Sequence, residues 1–408
     1  MRTPACAFND TKFPVGYGES GAAMNMHMTQ LQSDAETMTG WRRHLHRNPE
    51  LAFEETQTAA YIARLLAGWG YEVADGVGGT GIVASLTAGD GKRAIGLRAD
   101  MDALPIQEEG ERSYRSATTA KSHMCGHDGH AAMLLGAAKR LSETRNFNGT
   151  VRLIFQPAEE VMGGALAMMR DRVFDRFPID LIFGMHNMPG YELGKFYFTS
   201  GPMMAAVDSW EIVLTGKGGH GSMPEKCVDP VVAGASLVMA LQTVVARNVA
   251  PQDRAVVTVG AFLAGEAGNV IPQTASLRLS IRTSTPETRA LVLGKIRAIA
   301  AAQAESYGVA HAIREGIPGA VLVNHTDLTA RCADIAAAAL GEDHVETSGP
   351  TFMGSEDFAF FAQERPAVYC IIGNGDTPMV HHPLYDFDDR NLPVGAAYWV
   401  AIAEAFLR

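Results

Sequence analysis

Apolar residues recur at helical spacing from residue 37, and over residues 54–69 they place Ala59, Ala60, Ile62, Leu65 and Leu66 near one face before Gly68 and Gly70 end the run. Short apolar runs then predict strands over residues 71–73, 81–86 and 94–98, a helix over 129–141, and a strand over 150–155 that stops at Gln156-Pro157. Strands alternating with helices of this length predict a layered α/β domain. The middle third has another rhythm: strand 207–214, helix 230–247, strands 255–263 and 274–283, helix 286–307, strand 309–314. That order is βαββαβ, a ferredoxin-like split-βαβ sandwich with its own helical face to bury. Such a unit can fold as an insertion, entered near Gly201-Pro202 and left near Gly316-Ile317-Pro318-Gly319. The predicted organisation is a flexible leader or a peripheral arm over residues 1–34, whose residues are small and polar without sustained periodicity, an outer domain from 35–201 and 321–408, and an inserted domain over 202–320.

Composition narrows the functional classes. The 408 residues are 47% hydrophobic and 19% charged, which excludes disorder as the main theme. A net charge of −11 argues against nucleic acid or an anionic membrane as partner and leaves small molecules. Cys6, Cys125, Cys227, Cys332 and Cys370 are too widely scattered for a disulfide framework. With no basic segment leading into an apolar one among the first forty residues, this predicts a cytoplasmic protein. The most apolar span, 231–246, is interrupted by Gly234, Ser236, Gln242 and Thr243 and falls short of the roughly 20 residues a bilayer requires, so it reads as a packed helix.

Two glycine patterns of the dinucleotide-binding type, at Gly76/Gly78/Gly81 and Gly216/Gly218/Gly221, lack the strand-before, helix-after context that delivers a pyrophosphate to a helix N-terminus. The informative segment is His123-Met124-Cys125-Gly126-His127-Asp128-Gly129-His130, which offers thiolate, imidazole and carboxylate to a divalent metal just ahead of a helix. Downstream, Glu159 and Glu160 follow a strand end. Consecutive acids there can divide labour, one binding a metal ion and the other accepting a proton from water whose pKa the ion lowers toward about 7. His186 ends another apolar strand, and His381-His382-Pro383 lies at a late turn. The inserted unit adds His220, flanked by glycines, and Asn269 with Arg282, a pair able to hold a substrate carboxylate or to be ordinary surface residues.

Taken together, Arg43-His44-Leu45-His46 with Pro49-Glu50-Leu51, Arg98-Ala99-Asp100-Met101-Asp102-Ala103-Leu104-Pro105, the Cys-Gly-His-Asp-Gly-His run, Gln-Pro-Ala-Glu-Glu, Gly-Gly-His-Gly-Ser and Gly-Ser-Glu-Asp-Phe resemble the aminoacylase and hippurate hydrolase family. This is the amidohydrolase branch of the dinuclear metallopeptidases that also include carboxypeptidase G and succinyl-diaminopimelate desuccinylase. The resemblance runs in order from Trp41 to the C-terminus. It implies a zinc-peptidase-like α/β catalytic domain interrupted by a lid that commonly forms a homodimer contact. It also implies two divalent ions per subunit, zinc or manganese first and cobalt or nickel next. By motif position Cys125, His127, Glu160, His186 and His381 are the ligands, with Cys125 the bridge, and Glu159 is the general base. His220 polarises the scissile carbonyl, often from the partner subunit, while Asn269 and Arg282 hold the substrate's free carboxylate. The wider family's His-x-Asp becomes Arg98-Ala99-Asp100, so Asp100 is expected to orient a ligand imidazole rather than to bind metal. The implied activity is hydrolysis of N-acyl-amino acids, with a carboxypeptidase or dipeptidase as the alternative.

Overall fold

The structure, a computed structural model, describes residues 20–408, with side chains described from His27 onward; Cys6 and the leader ahead of Ser20 lie outside the described residues. An eight-stranded mixed sheet runs in the order Glu72–Val77, Gly81–Ala88, Gly149–Gln156, Ala94–Asp100, Leu181–Met188, Ala367–Gly373, Phe196–Phe198, Val345–Glu346. The four central strands are mutually parallel, with Asp100 level with Gln156 and His186 level with Ile371. They carry near-continuous apolar runs because both faces are covered, as parallel sheets require. Leu97, Leu153, Phe183 and Cys370 face a core closed by the helices His127–Thr144, Thr326–Leu340 and Asn391–Phe406. Ile154, Ile182, Tyr369 and Ile371 face the opposite core, with the helices Gly164–Arg170 and Phe358–Glu364.

The inserted strands form a separate antiparallel sheet in the order Ala255–Ala264, Thr274–Thr283, Ala206–Thr215, Ala310–Glu315. Two helices, Pro230–Asn248 and Pro286–Tyr307, close a third core around Ile212, Leu237, Leu277 and Ile296. Both helices start with proline behind a capping side chain, Asp229 accepting from the Val231 amide at 2.7 Å and Thr285 from the Thr288 amide at 3.1 Å. At 19 residues the first is longer than the sequence suggested and is, by length and composition, apolar enough to cross a membrane. It instead buries one face, Ala233, Leu237, Leu241 and Val244, and leaves Val232 and Met239 outside. Arg289 grips Asp208 through two nitrogens, and Asp208 also accepts from the Gly319 amide, which ties the entering and leaving chains together.

The structure corrects the leader over Ser20–Ser33. That segment is helical and docked: Leu31 is buried, His27 accepts from Arg140 Nε at 3.0 Å through Nδ1, and its Nε2 lies 3.1 Å from the Glu404 carboxylate. Besides Leu31 and Met28, which pack on the main core, its anchors are polar, and hydrophobic periodicity does not register them. Neither glycine pattern opens a long helix: the first joins two strands, and the second runs through a two-residue strand into a single 3-10 turn.

Ahead of the site, a buried chain of charge runs Glu108–His46–Asp128–Arg42, with His46 Nδ1 2.8 Å from Asp128 and Nε2 3.3 Å from Glu108. Burial opposes the imidazolium, but the two flanking carboxylates outweigh it and lift the His46 pKa to about 9. A raised histidine contributes stability that is full below about 6.5 and is lost as pH rises through the folded-state value. The urea midpoint is therefore expected to fall between pH 6.5 and 9 more steeply in the native chain than in His46→Gln; equal slopes in the two proteins would rule this ion chain out as the cause.

Candidate metal centre

The carboxyl ends of the four parallel strands converge on one side of the sheet, where α/β proteins place their ligands. One strand ends in Asp100 and continues to Asp102, the next leads through Gln156 to Glu159 and Glu160, a third carries His186, and the fourth leads to His381. The N-terminus of the helix His127–Thr144 enters among them, carrying Cys125 just ahead of it. Gly126 makes that entry possible. Its φ is +91°, and a Cβ there would collide with the Asn187 amide and the Tyr385 hydroxyl.

Cys125, His127, Glu160, His186 and His381 meet in overlapping groups: Cys125 with His127 and His186, and Cys125 again with Glu160 and His381. Tautomers follow from the outer partners of each ring. His127 Nδ1 faces two acceptors of Asp102, the main-chain oxygen at 2.9 Å and Oδ1 at 3.2 Å, so Nδ1 carries hydrogen and Nε2 faces the cluster. His186 Nδ1 lies 2.5 Å from the Asn187 carbonyl and turns Nε2 to within 3.4 Å of Cys125 Sγ. His127 Nε2 and Glu160 Oε1 are both buried without a hydrogen-bond partner and face each other across 3.8 Å. A divalent cation fits this donor set: two orphaned buried atoms and a thiol converge, each able to give a lone pair.

Electrostatics point the same way. Burial opposes a charged His127, but Asp100, Asp102 and Glu160 overcome it and raise its pKa to about 10, so without a cation the ring holds a second proton. Burial and the negative field of Glu160, Glu159 and Asp100 push the Cys125 thiol well above its usual range. The same two causes, burial and then Glu356 and Glu160, hold Glu159 well above the ordinary carboxylate range. Burial together with His130 keeps His186 neutral. A bound cation would reverse the upward shifts of His127, Cys125 and Glu159 at once and reinforce the neutrality of His186.

His381 sits at φ +69°, donates its amide to the Met124 carbonyl at 2.6 Å and brings Nε2 to 3.4 Å from Glu160. His382 is exposed, and its Nδ1 accepts from the Leu384 amide. Glu159 is buried beside Glu160, and among the described residues its carboxylate takes no hydrogen bond.

Asp100 departs from expectation. It accepts from Arg98 Nη1 at 2.8 Å and lies 2.6 Å from Nδ1 of His130, whose other nitrogen accepts from the Asn187 amide. The orienting contact on the candidate ligand imidazole, His127, falls to Asp102, which lies past the strand end. Its second oxygen accepts the Glu160 amide at 3.0 Å. Sequence reasoning also assigned nothing to the layer beneath: Arg98 donates to Gln156 and reaches Glu356 and Asp357, while Asp357 accepts from Gln156 and the Ala165 amide. The signal was present in the Asp-Met-Asp motif at the end of a buried strand and in the Ser-Glu-Asp-Phe motif just ahead of the helix Phe358–Glu364.

The inserted unit's residues stand apart from this cluster. His220 is exposed and turned to Ser222, its Nδ1 2.8 Å from the hydroxyl. Asn269 is exposed, its carbonyl accepting the Gly221 amide. Arg282 is half-buried and donates Nη1 to the Met353 carbonyl at 2.8 Å, three residues before Glu356.

The sequence profile described as peptidase family M20/M25/M40 matches residues 96–405. The chain is 42% identical over 378 residues to a hippurate hydrolase of Campylobacter jejuni, spanning 93% of this chain and 98% of that one. It is 37% identical over 366 residues to an N-acetylcysteine deacetylase of Bacillus subtilis, spanning 89% and 94%. A crystal structure from Bacillus subtilis described as a dinuclear metal-binding peptidase of the M20 family superposes with a TM-score of 0.81 at 32% identity, over 92% of this chain and 99% of that one.

Asp102→Asn weakens the hold on both His127 and the Glu160 amide, and loss of such an outer partner costs about 10–100-fold in metal affinity. Competition with a chromogenic chelator measures it; affinity within twofold of the native chain would remove Asp102 from the support of the centre.

Proposed function

The chain belongs to peptidase family M20/M25/M40, and from that premise we propose that it is a metal-dependent amidohydrolase that splits N-acyl-amino acids, acetylated, benzoylated or similar, into a carboxylate and a free amino acid. The observation that carries the reading is Glu159: a buried acid with no side-chain hydrogen bond among the described residues, raised in pKa, adjoining Glu160 in a set of metal-competent side chains. The relatives named for hippurate and N-acetylcysteine support the substrate class.

Cys125, His127, Glu160, His186 and His381 would hold two divalent ions, with Cys125 shared between the two ligand groups. When bound, the ions supply Lewis-acid polarisation and a nucleophile at neutral pH. Thiol, imidazole and carboxylate donors together suit zinc or manganese, with cobalt or nickel also accommodated. Glu159 takes the proton of the attacking water and returns it to the departing nitrogen, a round trip that suits an acid whose pKa burial holds above the ordinary carboxylate range. His220 stabilises the developing oxyanion, and Asn269 with Arg282 holds the substrate's carboxylate. These three reach the centre by closure of the inserted unit, residues 202–320, acting as a lid, or from a second copy of the chain. Closure would exchange the Met353 carbonyl on Arg282 for the substrate.

The same unit offers a dimer surface. Its edge strand Ala255–Ala264 leaves Val256, Phe262 and Leu263 exposed, and the neighbouring helix exposes Val232 and Met239. Unpaired backbone on an apolar edge favours pairing with a second copy. The four described cysteines are free, which suits a reducing cytoplasm.

Glu159→Gln should retain two metal equivalents and the native melting temperature while kcat on N-acetyl- and N-benzoyl-amino acids falls by about 10²–10⁴-fold. Undiminished turnover would remove the mechanism, and faster cleavage of dipeptides than of acylated amino acids would transfer the enzyme to the peptidases. Leu263→Lys should convert the dimer to monomers in light scattering; an unchanged mass would exclude this edge.

A further inference from the structure

The proposed base sits in a short, strained turn, Pro157-Ala158-Glu159-Glu160, between the strand Gly149–Gln156 and the helix Gly164–Arg170. Ala158 is fully buried and adopts φ +53°, a left-handed conformation that a residue with a Cβ enters only when its surroundings impose it. On one side of Glu159, Asp102 holds the Glu160 amide. On the other, the Ala158 amide donates at 2.8 Å to Oε1 of Glu55, a residue 103 positions earlier with no exposed surface. The Ala158 carbonyl accepts from the Gly163 and Gly164 amides, so both polar groups of this peptide are engaged.

Glu55 occupies the N-cap position of the helix Thr56–Gly68, yet its side chain does not cap it. Glu50 does that instead, accepting from the Gln57 and Thr58 amides at 3.1 and 2.8 Å. Glu55 is thereby free to turn inward, where its second oxygen accepts the Thr80 hydroxyl at 2.5 Å. Placing an acid here is costly, since burial raises its pKa and the carboxylate must give up water. Packing alone would be served by an apolar side chain. Two converging donors, one the backbone N–H of a left-handed residue beside the base, require two acceptors on one side chain.

We infer that Glu55 is a positioning residue for catalysis: it fixes the Ala158 peptide and so aims Glu159 at the metal-bound face of the site. The inference rests on Glu159 being the base. It touches neither substrate nor the proposed ligands, so its effect belongs to kcat rather than to metal content or KM. A displacement of about 1 Å in a reacting group can cost on the order of 100-fold.

The experiment uses the full-length, metal-loaded enzyme. Glu55→Ala should lower kcat by about 100-fold, with KM within threefold and two metal equivalents retained. Glu55→Gln should recover most of kcat, because its carbonyl can keep the Ala158 amide while its NH2 donates to a turned Thr80 hydroxyl. Thr80→Val, which frees one oxygen and leaves the other in place, should give an intermediate loss even if Glu55→Ala folds poorly. Glu159→Gln in the same assay separates the two claims. If it is inactive while Glu55→Ala and Thr80→Val turn over normally, the positioning role is overturned and the base assignment survives; if it is active, the base assignment itself fails. Loss of metal in Glu55→Ala, or equal loss of activity in Glu55→Gln and Glu55→Ala, would also overturn the inference.

Discussion

Uncompensated negative charge at the carboxyl end of a parallel sheet is the constraint around which this molecule is built. Asp100, Asp102, Glu159, Glu356 and Asp357 are all buried there with Glu160 beside them, and Arg98 is the buried arginine among them. Arg98 spreads its guanidinium over Asp100, Gln156, Glu356 and Asp357, yet burial and the remaining acids still leave Asp357 with a pKa of about 8. A low-dielectric pocket cannot keep so many carboxylates ionised unaided. Protons relieve the field when nothing else is present, and the same acids raise the proton affinity of His127 and Glu159. Divalent cations would relieve it better, and the protons they displaced would free the thiol and the imidazole to serve as ligands.

The parts of the fold visible in the sequence are those governed by apolar periodicity. Strand 150–155 could be read because its residues are buried on both faces, and the inserted βαββαβ order because each strand and helix there has a one-sided core. The docked helix Ser20–Ser33 was invisible because His27, Arg140 and Glu404 hold it by polar contacts over more than a hundred positions. The helix Asn391–Phe406 is buried almost all round, which removes the amphipathic stripe that would mark it.

Ligand-type residues were legible because chemistry restricts them: few side chains can bind a cation, and these stand near strand ends, at a helix N-terminus or in a late turn. Their supports were less so. Asp100 and Asp102 look alike in the sequence, two acids separated by one residue, and only the turn after Asp100 decides that Asp102 meets His127 while Asp100 meets His130. Glu55 and Glu50 pose the same problem, since either could cap the following helix, and the choice depends on the distant Ala158 and Thr80.

The centre and the inserted unit meet on one segment. Arg282 and Arg254 reach from the inserted sheet to Met353 and Thr351, and the chain then runs directly into Glu356 and Asp357, which border Glu159. Any rotation of the inserted unit must therefore break these contacts or pull on the layer beneath the base. Asp208, held by Arg289 and by the Gly319 amide, joins the two connecting chains into one support and restricts such a rotation to a hinge. An arginine that leaves a backbone carbonyl to take up a substrate carboxylate exchanges one hydrogen bond for a charge-assisted pair. With Arg282 in its proposed role, binding would thus favour a moved state, and the segment the arginine would release is the one adjoining the acids that raise the proton affinity of Glu159.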